Sequence, residues 1–324
     1  MSQEKFKTMI GGQALIEGIM MRGPKKDAIV TCAKGELHVE VNNRKLPPKG
    51  LSRVPFLRGM ITFFDAQLTG VKALMKSAEA APEEYQEEES KLDAWLEKKL
   101  GKEKYQKAIV NVGVFLGLAF SIALFFLLPM LVGELFRIFI KSELVIILLE
   151  GLVRLLIFGG YMVLVSRMKE MRRVFAYHGA EHKTIHCYEA GLPLTVENVK
   201  AQTRLHPRCG TSFLLVVMLL SVLVFFAATS ALSSIPALQP FQGNFLYRLL
   251  MIVLKLLLLP LVVGISYEIN RWVGRHDNFL SRILRAPGMW MQNFTTCEPD
   301  EDMIRTGIAA LEAVIPDEEG DDRW

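Results

Sequence analysis

Apolar residues along this chain are concentrated in four long runs that are separated by polar and charged segments. The runs are Ala108–Val132, Leu144–Val165, Phe213–Leu232 and Phe245–Tyr267. Each run has about 20 residues or more, which is enough for a helix to cross a hydrocarbon layer about 30 Å thick. The pattern therefore predicts a mainly α-helical membrane protein with four transmembrane helices.

The N-terminal region has the pattern of a small cytoplasmic α+β module. Two β-like runs, Ala28–Ala33 and Glu36–Val41, are joined by Lys34 and Gly35, which predicts a hairpin. The preceding stretch, GGQALIEGIMMRGP, is rich in glycine and contains a proline, so we expect tight turns there. No pattern typical of a signal peptide occurs, so we do not expect an export signal at the N-terminus.

A helix capped by Ser52 is predicted to begin near Pro55. Its apolar residues are interrupted by charges, so it either lies on the membrane surface or is buried in the module. The acidic stretch from Glu83 to Glu89 predicts a solvated linker, and Leu92–Leu100 a short amphipathic helix. We expect four parts: the module (1–78), linker and helix (79–107), membrane domain (108–267, with loop 166–212) and a C-terminal helical segment (268–324).

Turn and cap signals divide the segments outside the spans. Arg167–Tyr188 has the pattern of a continuation of the second membrane helix, which Gly191 and Pro193 would end. The remaining predicted elements are a short helix starting at Thr195, an amphipathic piece at Asn278–Leu284 broken by Ala286-Pro287-Gly288, and a final helix at Asp300–Val314.

Basic residues indicate the orientation of the spans. They cluster before the first span, between the second and third, and after the fourth, whereas Ser233–Asn244 has none. The positive-inside rule then predicts four spans in the cytoplasmic membrane, with both termini in the cytoplasm. The net charge of +4 reflects this bias and does not indicate sequence-specific binding of nucleic acid.

The most distinctive polar motif is YHGAEHKTIHCYE, which spans Tyr177–Glu189. His178, His182 and His186 are four residues apart, so on a helix they form one stripe. With Glu181 they contain the order HxxEH, which occurs in inverted zinc peptidases. A second motif, HPRCGTSF, precedes the third span. It would face the Tyr177–Glu189 motif if spans two and three are adjacent.

These motifs together predict a metal site at the cytoplasmic face of the membrane. His178 and His182 would be paired ligands and Glu181 the general base that activates water. The further candidate ligands are His186, Glu189, His206 and Cys209. Zinc suits His with Cys, whereas iron or manganese suits His with Glu. Alternatively, the histidines are structural and bond to carboxylates and backbone carbonyls.

Charged residues also occur inside two predicted spans: Glu150 and Arg154 in the second, and Lys255 in the fourth. Such groups normally face a protein interior or each other. They suggest either an ion pair between helices or a polar cavity. The four cysteines lie outside the spans on the predicted cytoplasmic side, where thiols stay reduced, so we expect no disulfide.

The glycine-rich stretch, YHGAEHKTIHCYE and HPRCGTSF together resemble the bacterial YqhQ family. The resemblance covers nearly the whole chain and implies a multi-pass membrane protein of unknown function. Members have been described as predicted metal-dependent enzymes, and the resemblance also suggests a bacterium of Gram-positive type.

Three classes of function are consistent with the sequence. The leading hypothesis is a metal-dependent enzyme that acts on a membrane-associated substrate by hydrolysis or proton transfer. The second is a membrane adaptor or scaffold for a large partner, such as the ribosome, the translocon or another membrane protein complex. The third is a small transporter, which with four spans would require a homo-oligomer. A peptidase is disfavoured because the chain has no large soluble fold to supply the distant acidic ligand.

Overall fold

The chain is mainly helical and has one small antiparallel sheet near its N-terminus. The computed structural model describes residues 5–33, 35–44, 50, 54–79, 98–99, 101–241, 244–318 and 320–323. The predicted cap Ser52, the acidic stretch Glu83–Glu89 and nearly all of the predicted helix Leu92–Leu100 lie outside these residues. The helices, numbered along the chain, are α1 (Leu57–Glu79), α2 (Lys102–Ile122), α3 (Leu128–Phe136), α4 (Glu143–Val165), α5 (Lys169–Glu189), α6 (Val196–Lys200), α7 (Gly210–Ser233), α8 (Phe245–Arg275), α9 (Phe279–Thr295) and α10 (Glu301–Glu312).

The sheet has four strands in sequential order, each antiparallel to the next. They are β1 (Gly11–Leu15), β2 (Gly18–Arg22), β3 (Lys26–Ala33) and β4 (Glu36–Asn43). The predicted hairpin is confirmed as β3 and β4. The glycine-rich stretch has the predicted tight turns, one at Glu17 and one at Gly23, whose N–H donates to the carbonyl oxygen of Lys26. Gly12 and Gly18, however, lie in strands β1 and β2 and not in turns.

The reason for this difference lies in how closely other atoms approach the glycines. A Cβ atom on Gly12 would lie 2.6 Å from the backbone oxygen of Met20, and one on Gly18 would lie 2.5 Å from that of Val30. Glycine is needed at these strand positions because of crowding and not because of turn geometry. The turn between β1 and β2 contains Glu17, whose φ of 48° is in the left-handed region.

Within the described part of the chain, four helical segments are long and apolar enough to cross a membrane, which agrees with the predicted number of spans. They are Asn111–Phe136, Leu144–Val165, Gly210–Ser233 and Leu249–Arg275. The first includes a π-helical turn, Ala123–Leu127, that joins α2 to α3.

The chain divides into two compact units. One combines the N-terminal segment up to Ser77 with the chain from Met162 onward, and the other spans Ala78–Tyr161. The division falls near the end of α4, within the predicted membrane domain. The sheet, the histidine motif and the C-terminal helices therefore belong to one unit.

The core of that first unit lies between the sheet, α5 and α10. Ile19 and Val30 of the sheet, Tyr177 of α5 and Leu311 of α10 are almost completely buried in one apolar cluster. Asp300 caps α10 by accepting a hydrogen bond from the backbone N–H of Met303. The predicted final helix is therefore confirmed, and it covers the sheet beside α5.

Helix α5 is separate from the membrane helix before it. Met168 has an extended backbone with ψ of 136°, and a new helix begins at Lys169. The predicted continuation of the second span to Tyr188 was therefore wrong. The end of α5 follows the prediction, since Gly191 takes up a φ of 63° two residues after the helix ends. Thr195 then caps α6 as expected.

Helix α9 also departs from the prediction. We expected Ala286-Pro287-Gly288 to break it, but the helix runs through Pro287 to Thr295. At Gly288, a Cβ atom would lie 2.6 Å from the Cα atom of Ser212 on α7. The absence of a side chain at Gly288 therefore permits α9 to pack closely against α7.

The charged residues within the spans have local partners. In the second unit, Glu150 and Arg154 are both buried, and Arg154 donates a hydrogen bond of 2.9 Å to the carbonyl oxygen of Phe125. Phe125 lies in the π-helical turn, where the regular pattern of backbone bonding is interrupted. In the first unit, the ammonium of Lys255 lies 6.0 Å from the ring centre of Phe225.

Candidate metal centre

Helix α5 holds the histidine stripe in a largely buried position. One side of the helix packs on β1 and β2, and another on α10. Small residues permit close contacts, because a Cβ atom on Gly307 of α10 would lie 2.6 Å from Oγ1 of Thr184. One on Gly179 would lie 2.0 Å from the carbonyl oxygen of Cys297, between α9 and α10. The histidines face a third side, where residues 204–209 and the end of α9 meet the helix.

Two backbone carbonyls fix the orientation of the first two histidine rings. His178 donates from Nδ1 to the carbonyl oxygen of Thr295 over 2.8 Å. His182 donates from Nδ1 to the carbonyl oxygen of Arg204 over 2.6 Å. A carbonyl can only accept, so each Nδ1 carries the proton and each Nε2 presents a lone pair when the ring is neutral. This arrangement is typical of metal-binding histidines.

Cys209 completes a three-residue group with these rings. Its sulfur lies 3.2 Å from Nε2 of His178, and one ligand atom from each of the three residues lies within 4.8 Å of the other two. Zinc bonds of about 2.0–2.3 Å place tetrahedral ligand atoms roughly 3.5 Å apart. The group is therefore close to the geometry of a zinc centre and needs only small shifts of the side chains.

Glu181 lies beside this group and has an unsatisfied oxygen. Its Oε1 accepts a hydrogen bond of 2.9 Å from the backbone N–H of Gly12. Its Oε2 is buried and has no hydrogen-bond partner among the described residues. A buried carboxylate oxygen without a partner costs free energy, so its position calls for a ligand, a water molecule or a proton.

Burial and neighbouring charges shift the ionisation of these residues. Burial raises the pKa of the Cys209 thiol, but His178 and His182 outweigh it and hold that pKa well below its usual value. Burial lowers the pKa of His178, and the charge and hydrogen bond of Cys209 raise it to about 9. Burial raises the pKa of Glu181. Without a metal, these shifts favour a thiolate on Cys209 paired with an imidazolium on His178.

A second group lies further along α5. His186, Glu189 and His206 also have ligand atoms within 4.8 Å of one another. The His186 ring donates from Nε2 to the carbonyl oxygen of Leu205 over 2.9 Å. Burial, and then the charge of Arg208, hold the pKa of His206 well below its usual value, so that ring is neutral.

This second group already has the partners of a structural network. Arg208 forms an ion pair with the fully buried carboxylate of Glu189, which also accepts from the backbone N–H of Thr8 over 2.8 Å. Gln292 bonds the backbone of His206 through both its oxygen and its nitrogen, at 2.7 and 2.8 Å. A metal ion here would have to compete with the guanidinium for the carboxylate. The first group therefore fits a metal better than the second.

The seven predicted site residues thus lie in two neighbouring groups, not one. His178, His182 and Cys209 come together with Glu181 beside them, as the proposed meeting of the two motifs requires. His186, Glu189 and His206 form the second group. From the N-terminal module, Glu17 pairs with Arg173 on α5, five residues before His178.

Sequence reasoning missed the groups that position these side chains. Two of them, at Thr295 and Arg204, are backbone carbonyls, which leave no signal in residue type. Gly12 was recognised only as a turn residue, although its N–H holds Glu181. Arg208 could have been found, because it lies between the predicted ligands His206 and Cys209 and must affect their charge.

The fold and the site define a class: a multi-pass helical membrane protein with a small antiparallel sheet and a buried group of His, Cys and Glu residues. Residues 54–317 match the family described as "Protein of unknown function (DUF1385)". The chain is also 33% identical over 322 residues to "Uncharacterized protein YqhQ" of Bacillus subtilis (strain 168), covering 97% of this chain and 95% of the relative. The chain belongs to this family. No solved structure matches it.

Proposed function

We propose that this protein is a zinc-dependent membrane enzyme that hydrolyses a membrane-associated substrate. The observation that carries the proposal is the convergence of two imidazole Nε2 atoms on one buried sulfur, with each Nδ1 bonded to a carbonyl. One histidine is enough to activate a thiol, so the second oriented ring favours a metal. His178, His182 and Cys209 would be the ligands.

The donor set supports zinc over iron or manganese. Thiolate and imidazole together suit zinc, whereas iron and manganese sites of this kind favour His with carboxylate. The His/Glu group that would suit those metals already has Arg208 as its counter-ion. Three protein ligands would leave one position open, which is the arrangement of catalytic zinc sites.

In this proposal, Glu181 is the general base. Zinc, when bound, supplies a Lewis acid that makes water a nucleophile near neutral pH. Glu181 accepts the proton of the attacking water on Oε2, while the Gly12 N–H holds Oε1 in place. The carbonyls of Thr295 and Arg204 keep both imidazoles in the tautomer that binds metal through Nε2.

The position of Cys209 suggests where the reaction occurs. It is the residue before Gly210, with which the third apolar span begins. The centre would therefore lie at the membrane boundary, and the positive-inside distribution of Lys and Arg supports the cytoplasmic face. A substrate with a polar group at the bilayer surface would meet it there.

A second candidate is a cysteine nucleophile without metal. Cys209 lies at the N-terminal end of α7 and its sulfur is 3.2 Å from His178, which are conditions that stabilise a reactive thiolate. This mechanism assigns no role to His182 as a ligand. It predicts a metal-free protein whose Cys209 reacts rapidly with iodoacetamide.

Metal analysis of two histidine variants tests the leading proposal. We expect the protein, purified in detergent without chelators, to contain about one zinc per chain, as three ligands and one open position require. His182→Ala should lose the metal, because it removes a ligand. His186→Ala is the matched control: it lies one turn further along the same helix and should retain zinc. Zinc would be measured by mass spectrometry and folding by circular dichroism.

The outcomes separate the candidates. Zinc in the parent and in His186→Ala, but not in a folded His182→Ala, supports the centre. A metal-free parent with a fast-reacting Cys209 contradicts it and supports the nucleophile. Loss of zinc from a folded His186→Ala as well would contradict the assignment, because that variant keeps all three proposed ligands.

A further inference from the structure

Helix α1 is unusual because its packed face is made of small residues and its exposed face is apolar. Gly59, Gly70, Ala73 and Ser77 are its buried residues. Large apolar residues are exposed on the other side: Leu57, Phe64, Leu68 and Val71. At about 3.6 residues per turn, these two sets lie on opposite sides of the helix. Leu68 is 65% exposed.

The contacts of the small residues confirm which side faces the protein. A Cβ atom on Gly70 would lie 2.2 Å from the side-chain oxygen of Gln13 on β1. Ser77 accepts a hydrogen bond of 3.3 Å from the backbone N–H of Ile16. The exposed apolar face therefore points away from the sheet.

Helix α9 has the same construction. Its buried residues are small or polar: Ser281, Gly288, Gln292 and Thr295, together with Met291. Phe279, Ile283 and Trp290 lie on the opposite side, and Phe279 and Trp290 are 79% and 66% exposed. A soluble helix would present polar residues there.

We propose that α1 and α9 lie in the plane of the membrane surface and insert these apolar faces between the lipids. This is the geometry of interfacial amphipathic helices, which bury their apolar face roughly 5–10 Å into the boundary between headgroups and acyl chains. The partner is the bilayer that the four spans cross, and the inference does not depend on whether the centre binds zinc.

Continuity with the spans identifies lipid as the occupant of these faces. Gly59 of α1 packs against Tyr267 near the end of α8. Phe63 of α1 lies 5.8 Å, between ring centres, from Phe213, which is three residues into α7. Helix α1 therefore contacts two of the spans where their apolar segments end.

Helix α9 contacts α7 at Ser212, next to the residue that α1 contacts. Its Gly288 approaches Ser212, which is two residues after the span begins. The exposed faces of α1 and α9 therefore extend the apolar surface of α7, where Leu214 is already exposed.

The charges and the indole are placed as an interfacial helix requires. On α1, Arg58 and Lys76 lie on one flank of the apolar stripe and pair with Glu268 and Glu40. On α9, Arg282 lies beside the stripe and pairs with Asp277. The exposed Trp290 matches the preference of tryptophan for the membrane–water interface.

This placement brings the candidate centre next to the lipids. Helix α9 supplies the Thr295 carbonyl that orients His178 and the Gln292 side chain that holds His206. The helix therefore has its apolar face in the membrane and its polar face on the two groups of site residues.

Quenching of tryptophan fluorescence by brominated lipids tests the proposal. The full-length protein, with its four tryptophans replaced by phenylalanine, would receive one tryptophan at a time: Trp290 restored, or Leu68→Trp. Lys76→Trp is the matched control, because it lies on the same helix as Leu68 but off the apolar face. Each would be reconstituted in phosphatidylcholine vesicles brominated either near the headgroup end or near the methyl end of the acyl chain.

We expect Trp290 and Leu68→Trp to emit at shorter wavelength than Lys76→Trp. They should lose most of their emission to bromines near the headgroup end and less to bromines near the methyl end. Quenching by aqueous iodide in place of bromolipid would show that the faces are in water and would overturn the proposal. Protection from both quenchers would show that protein covers the faces and would overturn it as well.

Discussion

Gly12 is the residue through which the N-terminal strand and the candidate centre meet. Its N–H holds one oxygen of Glu181, and a Cβ atom there would lie 3.0 Å from the carboxyl carbon of that side chain. The same Cβ would also lie 2.6 Å from the backbone oxygen of Met20, which cannot move without distorting β2. Substitution at this one position therefore affects both the sheet and the proposed base.

We expect Gly12→Ala to destabilise the protein by roughly 1–3 kcal/mol, the usual cost of overpacking. Its effect on zinc binding should be small, because the side chain that must shift, Glu181, is the proposed base and not one of the three ligands. Gly11→Ala is the control, since nothing lies within 4 Å of a Cβ atom at that neighbouring position. Thermal unfolding in detergent and zinc titration would measure the two effects. Equal unfolding temperatures for the two variants would contradict this account of Gly12.

The buried ion pair of Glu189 and Arg208 also joins distant parts of the chain. Glu189 is completely buried, and its carboxylate bonds both Arg208 and the backbone N–H of Thr8. Removing one partner of a buried ion pair is more costly than replacing both by apolar residues, because removal leaves a buried charge without its partner. The second group therefore joins the N-terminal segment, α5 and the start of α7, whatever the first group binds.

At the scale of elements, α9 tests whether local propensity or tertiary packing decides the structure. Pro287 is exposed and interrupts the helix pattern, whereas Gly288 is buried against Ser212. Proline in a helix interior costs about 3 kcal/mol through its missing N–H and its ring. The helix nevertheless continues, because its ends are held by the capping box at Asn278 and by packing on α7.

We expect Gly288→Ala to lower the thermal midpoint of unfolding and Pro287→Ala to leave it unchanged or raise it. The first forces α9 away from α7, since the new Cβ would lie 2.6 Å from the Cα atom of Ser212. The second restores a helix former at an exposed position. If Pro287→Ala were the more damaging change, the break predicted from sequence would be the better description of α9.

The elements that could be predicted are those with a strong local or environmental signal. A bilayer imposes length and apolarity on its helices, so the four spans were evident. The β3–β4 hairpin and the starts of α6 and α10 follow from turn and cap residues. The strands β1 and β2 were missed because their residues show little alternation and few β-branched side chains. Their pairing depends instead on close approach at Gly12 and Gly18.

For the site, the sequence predicted the residue types and the meeting of the two motifs, but not the division of these residues into two groups. Spacing on α5 indicated that His178 and His182 act together, and the topology of the spans brought Cys209 to them. Which histidine joins which group depends on the carbonyls of Arg204 and Leu205. Backbone acceptors have no signature in the sequence, so the assignment of each histidine to a group could not be predicted from it.

At the scale of the whole molecule, one face of the first unit combines several features. The centre, the polar side of α9 and the beginning of α7 lie together, and the apolar faces of α1 and α9 extend from the same level. A hydrolytic site in this position would meet the polar groups of molecules held in the bilayer. Membrane seating and zinc binding would then cooperate, although each is tested by a separate measurement.

The orientation of the spans decides on which side of the membrane this face lies. Basic residues precede the first span, follow the fourth and fill the segment between the second and third, so both termini and the centre should be cytoplasmic. We expect Ser234→Cys, between α7 and α8, to react with a membrane-impermeant maleimide in intact cells. Lys200→Cys, at an exposed position on α6 between the second and third spans, should react only after permeabilisation. The parent protein is the control, because its four cysteines are buried or half-buried. The reverse pattern of labelling would place the centre outside the cell and exclude a cytoplasmic substrate.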